Sequence, residues 1–377
     1  MIHRVIFLLY FSFLLFLCAC FSIYIIKRNV LIKTSGMAVV MALGISMQGV
    51  VSNFLGPSFF QSAFAKIIPT IILAIWISFI FSIVLSYFNG RFRELHVRNA
   101  VNRFGIGTWV AASSICGILV SKHFTEWGII AKVLCCLNVM FWIFYIIICI
   151  KAFFEIHHNH LMKNSNGIFL LTTVSTQSII LMLHTVFGEI PKMITISLLF
   201  IGLGFYLISA TFIIRRYVTN QWAIETDWNN TNCILHGALS ISGLVCIVSG
   251  IAPEKVLMLL WIFTLVVFLI VECLELCRIY KRIVTYGLKK GMLIYDVSQW
   301  SRVFTFAMFY TFTSLIHLTS SQFTMIQSII LQFGIWVVLL LILSEIILSV
   351  KHGDGSPASS SLKSAMSGHR SPSRNSK

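Results

Sequence analysis

Charge is what this sequence has least of. Only 11% of its 377 residues are Asp, Glu, Lys or Arg, and 58% are hydrophobic. Soluble domains carry about 25% charged and roughly 45–50% apolar residues, so a soluble core is excluded. The chain shows no Walker-type phosphate loop and no soluble nucleotide domain, which argues against pumping by ATP hydrolysis in this chain. Its ten cysteines show neither a disulfide framework nor zinc spacing. Cys18, Cys20, Cys116, Cys135, Cys136, Cys149, Cys246 and Cys273 lie in or beside apolar runs, where a thiol behaves as a small buried hydrophobe. The 28 Lys and Arg outnumber the 12 Asp and Glu but form no continuous basic stripe, so no nucleic-acid partner is expected. No metal and no organic cofactor is expected.

What remains is a series of apolar runs. A helix needs about 20 residues to cross roughly 30 Å of hydrocarbon, where lipid offers its backbone no hydrogen-bond partner. Eleven spans meet that rule, near 5–26, 36–54, 67–88, 104–121, 128–150, 167–187, 193–214, 232–250, 255–277, 299–319 and 325–349. The last ten pair into five hairpins with short turns, separated by longer linkers. The expected fold is therefore an all-α polytopic membrane protein: an N-terminal helix and linker (1–34), a ten-helix domain (35–350), and a basic Ser-rich tail (351–377) too polar to pack.

Charge gives the hairpins a direction. The linkers hold Lys27, Arg28 and Lys33, then Arg91, Arg93, Arg98 and Arg103, then Lys151 and Lys163, Arg215 and Arg216, and Arg278, Lys281, Arg282, Lys289 and Lys290. The turns and their edges hold only Lys66, Lys122, Lys132, Lys192 and Lys255. Under the positive-inside rule the linkers and C-terminus face the cytoplasm, in a cell membrane, and the turns face outward. Three turns repeat a glycine-to-proline pattern, Gly56-Pro57, Gly188 to Pro191 and Gly250 to Pro253, suited to ending one helix and starting the next. The leading segment carries a lipoprotein-like Leu17-Cys-Ala-Cys20, but its apolar run continues to Ile26. An uncleaved helix with its N-terminus outside fits better.

Polarity then divides each hairpin. The first helices hold small and polar residues, among them Ser46, Gln48, Thr108, Ser113, Thr173, Thr176, Gln177, Ser240 and Thr311, whereas the second helices are greasier. Hydroxyls, amides and glycines fit close helix packing or a wet cavity, so the first helices are expected inside and these nine residues are candidates to line a pore. None of the five first helices contains Asp or Glu. A cation pathway or proton relay would place acids there, so an anion path is favoured.

The first helices resemble the family of tellurite-resistance and dicarboxylate transporters and plant slow-type anion channels. The likeness rests on Ser35-Gly-Met-Ala-Val-Val-Met-Ala-Leu-Gly44, Arg103-Phe-Gly-Ile-Gly-Thr-Trp-Val-Ala111, Leu170-Leu-Thr-Thr-Val-Ser-Thr-Gln177, Asp227-Trp228 with His236-Gly-Ala-Leu-Ser-Ile241, and Tyr295-Asp296 with Trp300-Ser-Arg-Val-Phe304. The resemblance implies a quasi-five-fold barrel with the first helices around a pore, usually a homotrimer with one pore per subunit. It also implies a phenylalanine gate at Phe304 and small anions as partners: a C4-dicarboxylate, sulfite, chloride or nitrate. Beside the gate, Thr305-Phe306-Ala307 replaces the Pro and Leu-Gly of related proteins, and without that proline the helix should be straight.

Phe304 falls about 12 Å along a helix begun at Asp296, at roughly 1.5 Å per residue, a depth that suits a gate. At roughly 100° per residue Arg302 points about 200° away from it. A charge pair with Glu345, or with Glu272 or Glu275, competes with an anion site or a snorkelling role for Arg302. His184 and His317 lie near outer helix ends, where they can add positive charge at low pH. His157, His158 and His160 lack metal-site spacing. Asn229-Asn230-Thr231 matches a glycosylation pattern but is expected inside. Two other classes stand beside the conduit: an intramembrane enzyme, disfavoured by the acid-free first helices, and a scaffold or immunity-type protein that kept the fold without transport.

Overall fold

The computed structural model describes residues 2–28, 30–60, 62–159 and 161–353; the expected tail falls almost wholly outside the described residues, as does His160. Every regular element among them is helical. The membrane helices are α1 (Ile2–Arg28), α2 (Ala38–Ile45), α3 (Ile67–Phe88), α4 (Gly107–His123), α5 (Gly128–His158), α6 (Leu171–Phe187), α7 (Lys192–Thr219), α8 (Ile234–Ser249), α9 (Glu254–Gly291), α10 (Trp300–Leu315) and α11 (Ser321–Gly353). A π turn, Ser46–Val51, prolongs α2 into a further helical stretch, Ser52–Phe60.

The first helices of the five hairpins close a ring. Each of α2, α4, α6, α8 and α10 packs on the next, and α10 returns to α2. The second helices lie outside: α5 against α4 and α6, α7 against α6 and α8, α9 against α8, and α11 against α10, while α3 also carries α1. Burial follows this division. The most apolar windows of Ala100–His123, Gly167–Phe187 and Asn230–Ser249 are 89%, 78% and 83% buried, against 22%, 17% and 11% for Thr125–His158, Glu254–Gly291 and Ser321–Lys351. Side chains on the outer helices meet lipid, which is as apolar as they are, so those helices need no polar face.

Both ends of the inner helices are marked by local chemistry. At the turn end, Gly56, Gly188 and Gly250 take positive φ of 73°, 78° and 62°, and Pro191 and Pro253 each precede the first residue of an outer helix. At the linker end four inner helices are approached through an Asx cap. Asn99 accepts from Val101 N, Asn166 from Ile168 N, Asn229 from Thr231 N and Asp296 from Ser298 N, at 2.8–3.0 Å. Each cap satisfies a backbone N–H that would otherwise be orphaned at a helix start.

Two spans depart from the apolar runs. Among the described residues ten stretches are long and apolar enough to cross a membrane, and α10 is not among them. It ends at Leu315 rather than near 319, because the Gln327 side chain donates to the Thr313 and Ile316 carbonyls at 2.7 and 2.9 Å and closes the helix end. Conversely α9 continues past 277 to Gly291, with a break at Gly287 (φ 75°), because helical hydrogen bonds survive where the apolar run stops. The thiol expectation also needs correction: Cys20, Cys136 and Cys273 are exposed on the outer surface of the bundle, the other five named thiols being buried or half-buried.

Candidate functional site

A cavity of about 410 Å³ lies within the ring and takes lining from all five inner helices. Helical periodicity supplies its walls. On α10 the lining residues are Phe304, Met308, Thr311 and Leu315; on α6 they include Val174, Ser178, Leu181 and Thr185; on α4, Ala111, Ile115, Ile118 and Lys122. These spacings of three and four keep one stripe of each helix facing inward. Phe304 is 2% exposed and is the lining residue of α10 nearest the linker end, as Ala111, Val174 and Ile241 are on their helices. Lys122, His184, Thr185 and Leu315 mark the rim at the turn end.

Only part of the expected polar lining faces this space. Gln48 and Thr311 do. The other seven candidates are not among its lining residues, and most of them bond to carbonyls or indole N–H groups, since a buried hydroxyl or amide needs a partner. Thr173 donates to Gly202 O on α7 at 3.0 Å, and Gln177 reaches Leu199 O at 3.4 Å. Thr176 accepts from Trp142 Nε1 on α5 at 3.0 Å, and Ser113 from Trp76 Nε1 on α3 at 3.2 Å. Thr108 donates to Gly105 O and Thr34 O, and Ser240 to His236 O. Ser46 is buried with its hydroxyl unpartnered among the described residues. Of these seven, six bond to their own or neighbouring backbone and rings.

The wall is mainly apolar. Besides Gln48 and Thr311, its polar members are Lys122, Ser178, His184 and Thr185, and no carboxylate is among the lining residues. Lys122 and Ser178 were not singled out from sequence. A signal existed: Lys122 falls on the stripe Ala111, Ile115, Ile118, but reading it only as a turn-edge charge hides that phase. His184 sits at the rim with Nε2 3.0 Å from Thr195 Oγ1. His317 is exposed and lies off the cavity.

Arg302 points from α10 toward α9, away from the cavity. Its guanidinium lies 2.9 Å from Glu275 and 3.7 Å from Glu272. Glu275 also meets Arg278 at 3.0 Å, and Glu272 lies 3.6 Å from His236 Nε2 on α8. The expected partner Glu345 is not within ion-pair distance. It faces the Gln299 side-chain amide instead, with both carboxylate oxygens within 3.2 Å of it.

Neither a family model nor a curated protein sequence matches this chain. The geometry therefore carries the functional argument: a ring of five helices, an apolar cavity on its axis, Phe304 at its linker end and a basic rim.

Proposed function

We propose that this protein conducts small anions across a cell membrane through the axis of the five-helix ring, as a channel or secondary carrier rather than an enzyme. One observation carries the reading. The cavity is shared by all five inner helices, holds a lysine and no carboxylate in its lining, and carries Phe304 at its linker end. A second cavity shares His184 and Val248 with it at the turn end and carries both Lys192 and Glu189, and a lysine without a carboxylate in the axial wall favours anions over cations. Phe304 then acts as the gate.

The resemblance to tellurite-resistance and dicarboxylate transporters and slow-type anion channels points the same way, since those proteins use five hairpins and a pore phenylalanine. By that likeness the assembly is a homotrimer with one pore per subunit. The excess of Lys and Arg in the linkers supports a cytoplasmic linker end, with the cavity open to the outside. Anion flux into proteoliposomes tests the proposal: wild type and Phe304→Ala should pass chloride or nitrate, faster in the variant. Absence of flux in both overturns it in favour of a transport-inactive membrane scaffold.

A further inference from the structure

We infer that Lys122 takes up the anion at the turn end of the cavity, with Gln48 as its positioning partner, and that the site is built for a singly charged anion. This rests on the conduit reading and adds a place and a charge number to it.

A lysine in the last turn of a helix commonly complements the helix dipole or snorkels to lipid headgroups. Both roles leave the ammonium turned to water or lipid. Lys122 is exposed, yet it lines the turn end of the central cavity. Its Nζ lies 3.5 Å from Gln48 Oε1, which lines the same cavity. Gln48 sits in the π turn Ser46–Val51. Such a turn widens the helix by one residue and shifts the phase of the turns after it, a device found often at functional sites. With the amide oxygen facing the ammonium, the two N–H donors of Gln48 make no hydrogen bond among the described residues.

The charge of Lys122 is also uncommitted. Glu126 stands four residues on, yet its carboxylate pairs with Lys66 at 4.0 Å. Lys122 itself forms no ion pair among the described residues, and no acid lines the cavity. A cation without a counter-ion, next to unused amide donors, is a site for an anion.

The number of charges is set by the wall. Of eighteen lining residues, twelve are apolar, Ile115, Leu181, Leu244 and Phe304 among them, and Lys122 is the single Lys or Arg. The desolvation cost of an ion grows with the square of its charge, and a buried charge is tolerated only when paired. One ammonium neutralises a monoanion. It leaves a dicarboxylate or sulfate with an unpaired charge in an apolar space.

The test uses the full-length protein in proteoliposomes, both wild type and Phe304→Ala, with chloride and formate as singly charged probes and sulfate and succinate as doubly charged ones. Lys122→Gln should lower chloride flux at low salt by about tenfold, the loss shrinking as salt rises, because focusing by a cleft charge is screened. Lys122→Arg should retain flux and Lys122→Glu should lose nearly all of it. A second readout is independent of the gate: chloride should slow acylation of Lys122 by an amine-reactive reagent more than sulfate at equal ionic strength. Flux and acylation indifferent to these changes overturn the role of Lys122 while leaving the conduit standing. Succinate or sulfate passing as readily as chloride overturns the charge number. No anion flux even in Phe304→Ala overturns the conduit reading itself, and this inference with it.

Discussion

Thr305 on α10 packs into the space that Gly237 leaves open on α8, where an added β-carbon would come within 2.3 Å of the Thr305 methyl carbon. This contact gives Thr305 a packing role between the two helices. Its methyl fills the interhelix gap, and its hydroxyl donates to Arg302 O at 3.1 Å, inside a helix that runs unbroken from Trp300 to Leu315.

Gly237→Ala should therefore force α8 and α10 apart. Overpacking a tight contact costs about 1–3 kcal/mol, to be read as a lower unfolding temperature in detergent. Adding Thr305→Ala should recover part of the loss, whereas two independent losses that simply add would show that the two side chains are not in contact.

The ring and its outer helices were legible in the sequence because lipid imposes one rule on every span, and because Gly188, Pro191, Gly250 and Pro253 punctuate the turns. The division into inner and outer helices was legible too, from polarity alone. What the sequence did not disclose is which face of an inner helix meets the axis. Thr173 and Val174 differ by about 100° on the helix, and a hydroxyl serves an interhelix bond as well as a wet wall. Val174 lines the cavity; Thr173 bonds Gly202 O. The π turn at Ser46–Val51 and the Gln327 cap on α10 were equally hidden, since each depends on a partner distant in sequence or on backbone strain that no residue type announces.

Glu275→Gln should destabilise the fold strongly. It removes the negative charge that faces Arg302 at 2.9 Å and Arg278 at 3.0 Å, leaving Arg302 with only the more distant carboxylate of Glu272. Removing one member of a buried pair typically costs roughly 3–5 kcal/mol, whereas replacing the pair with apolar residues is far milder. The check is a thermal double-mutant cycle over Glu275→Leu and Arg302→Met. If the double variant melts below both singles, the cluster contributes more than mutual compensation.

His96 predicts a pH dependence. It is fully buried in the linker before α4, between Thr34 Oγ1 at 3.0 Å and Ser86 Oγ at 3.4 Å, and burial pushes its pKa down from 6.5 to about 4. The folded state thus holds neutral imidazole, while the unfolded chain takes up a proton near 6.5. Stability from this group is complete above that pH. It declines by roughly 1.4 kcal/mol per pH unit as pH falls toward 4. Melting curves between pH 7.5 and 5 should show this slope in the wild type and a shallower one in His96→Phe. Equal slopes would mean that His96 is solvated.

Phe304 and Phe306 separate gate from packing. They are two residues apart on α10, hence about 200° apart around it. Phe304 lines the cavity, while Phe306 stands edge-on to Phe268 at 5.0 Å and to His236 at 6.2 Å, on the α8–α9 side. Phe304→Ala should open the axis and raise anion flux, at a stability cost of about 3–5 kcal/mol, the usual range for a buried phenylalanine. Phe306→Ala should lower the unfolding temperature without raising flux, since the space it vacates opens toward α9 and not toward the axis. Flux assays on both variants, at matched amounts of folded protein, decide the matter. Equal gains from the two would place the conducting path along the α8–α9 seam, beside the Arg302 ion pairs, instead of through the ring.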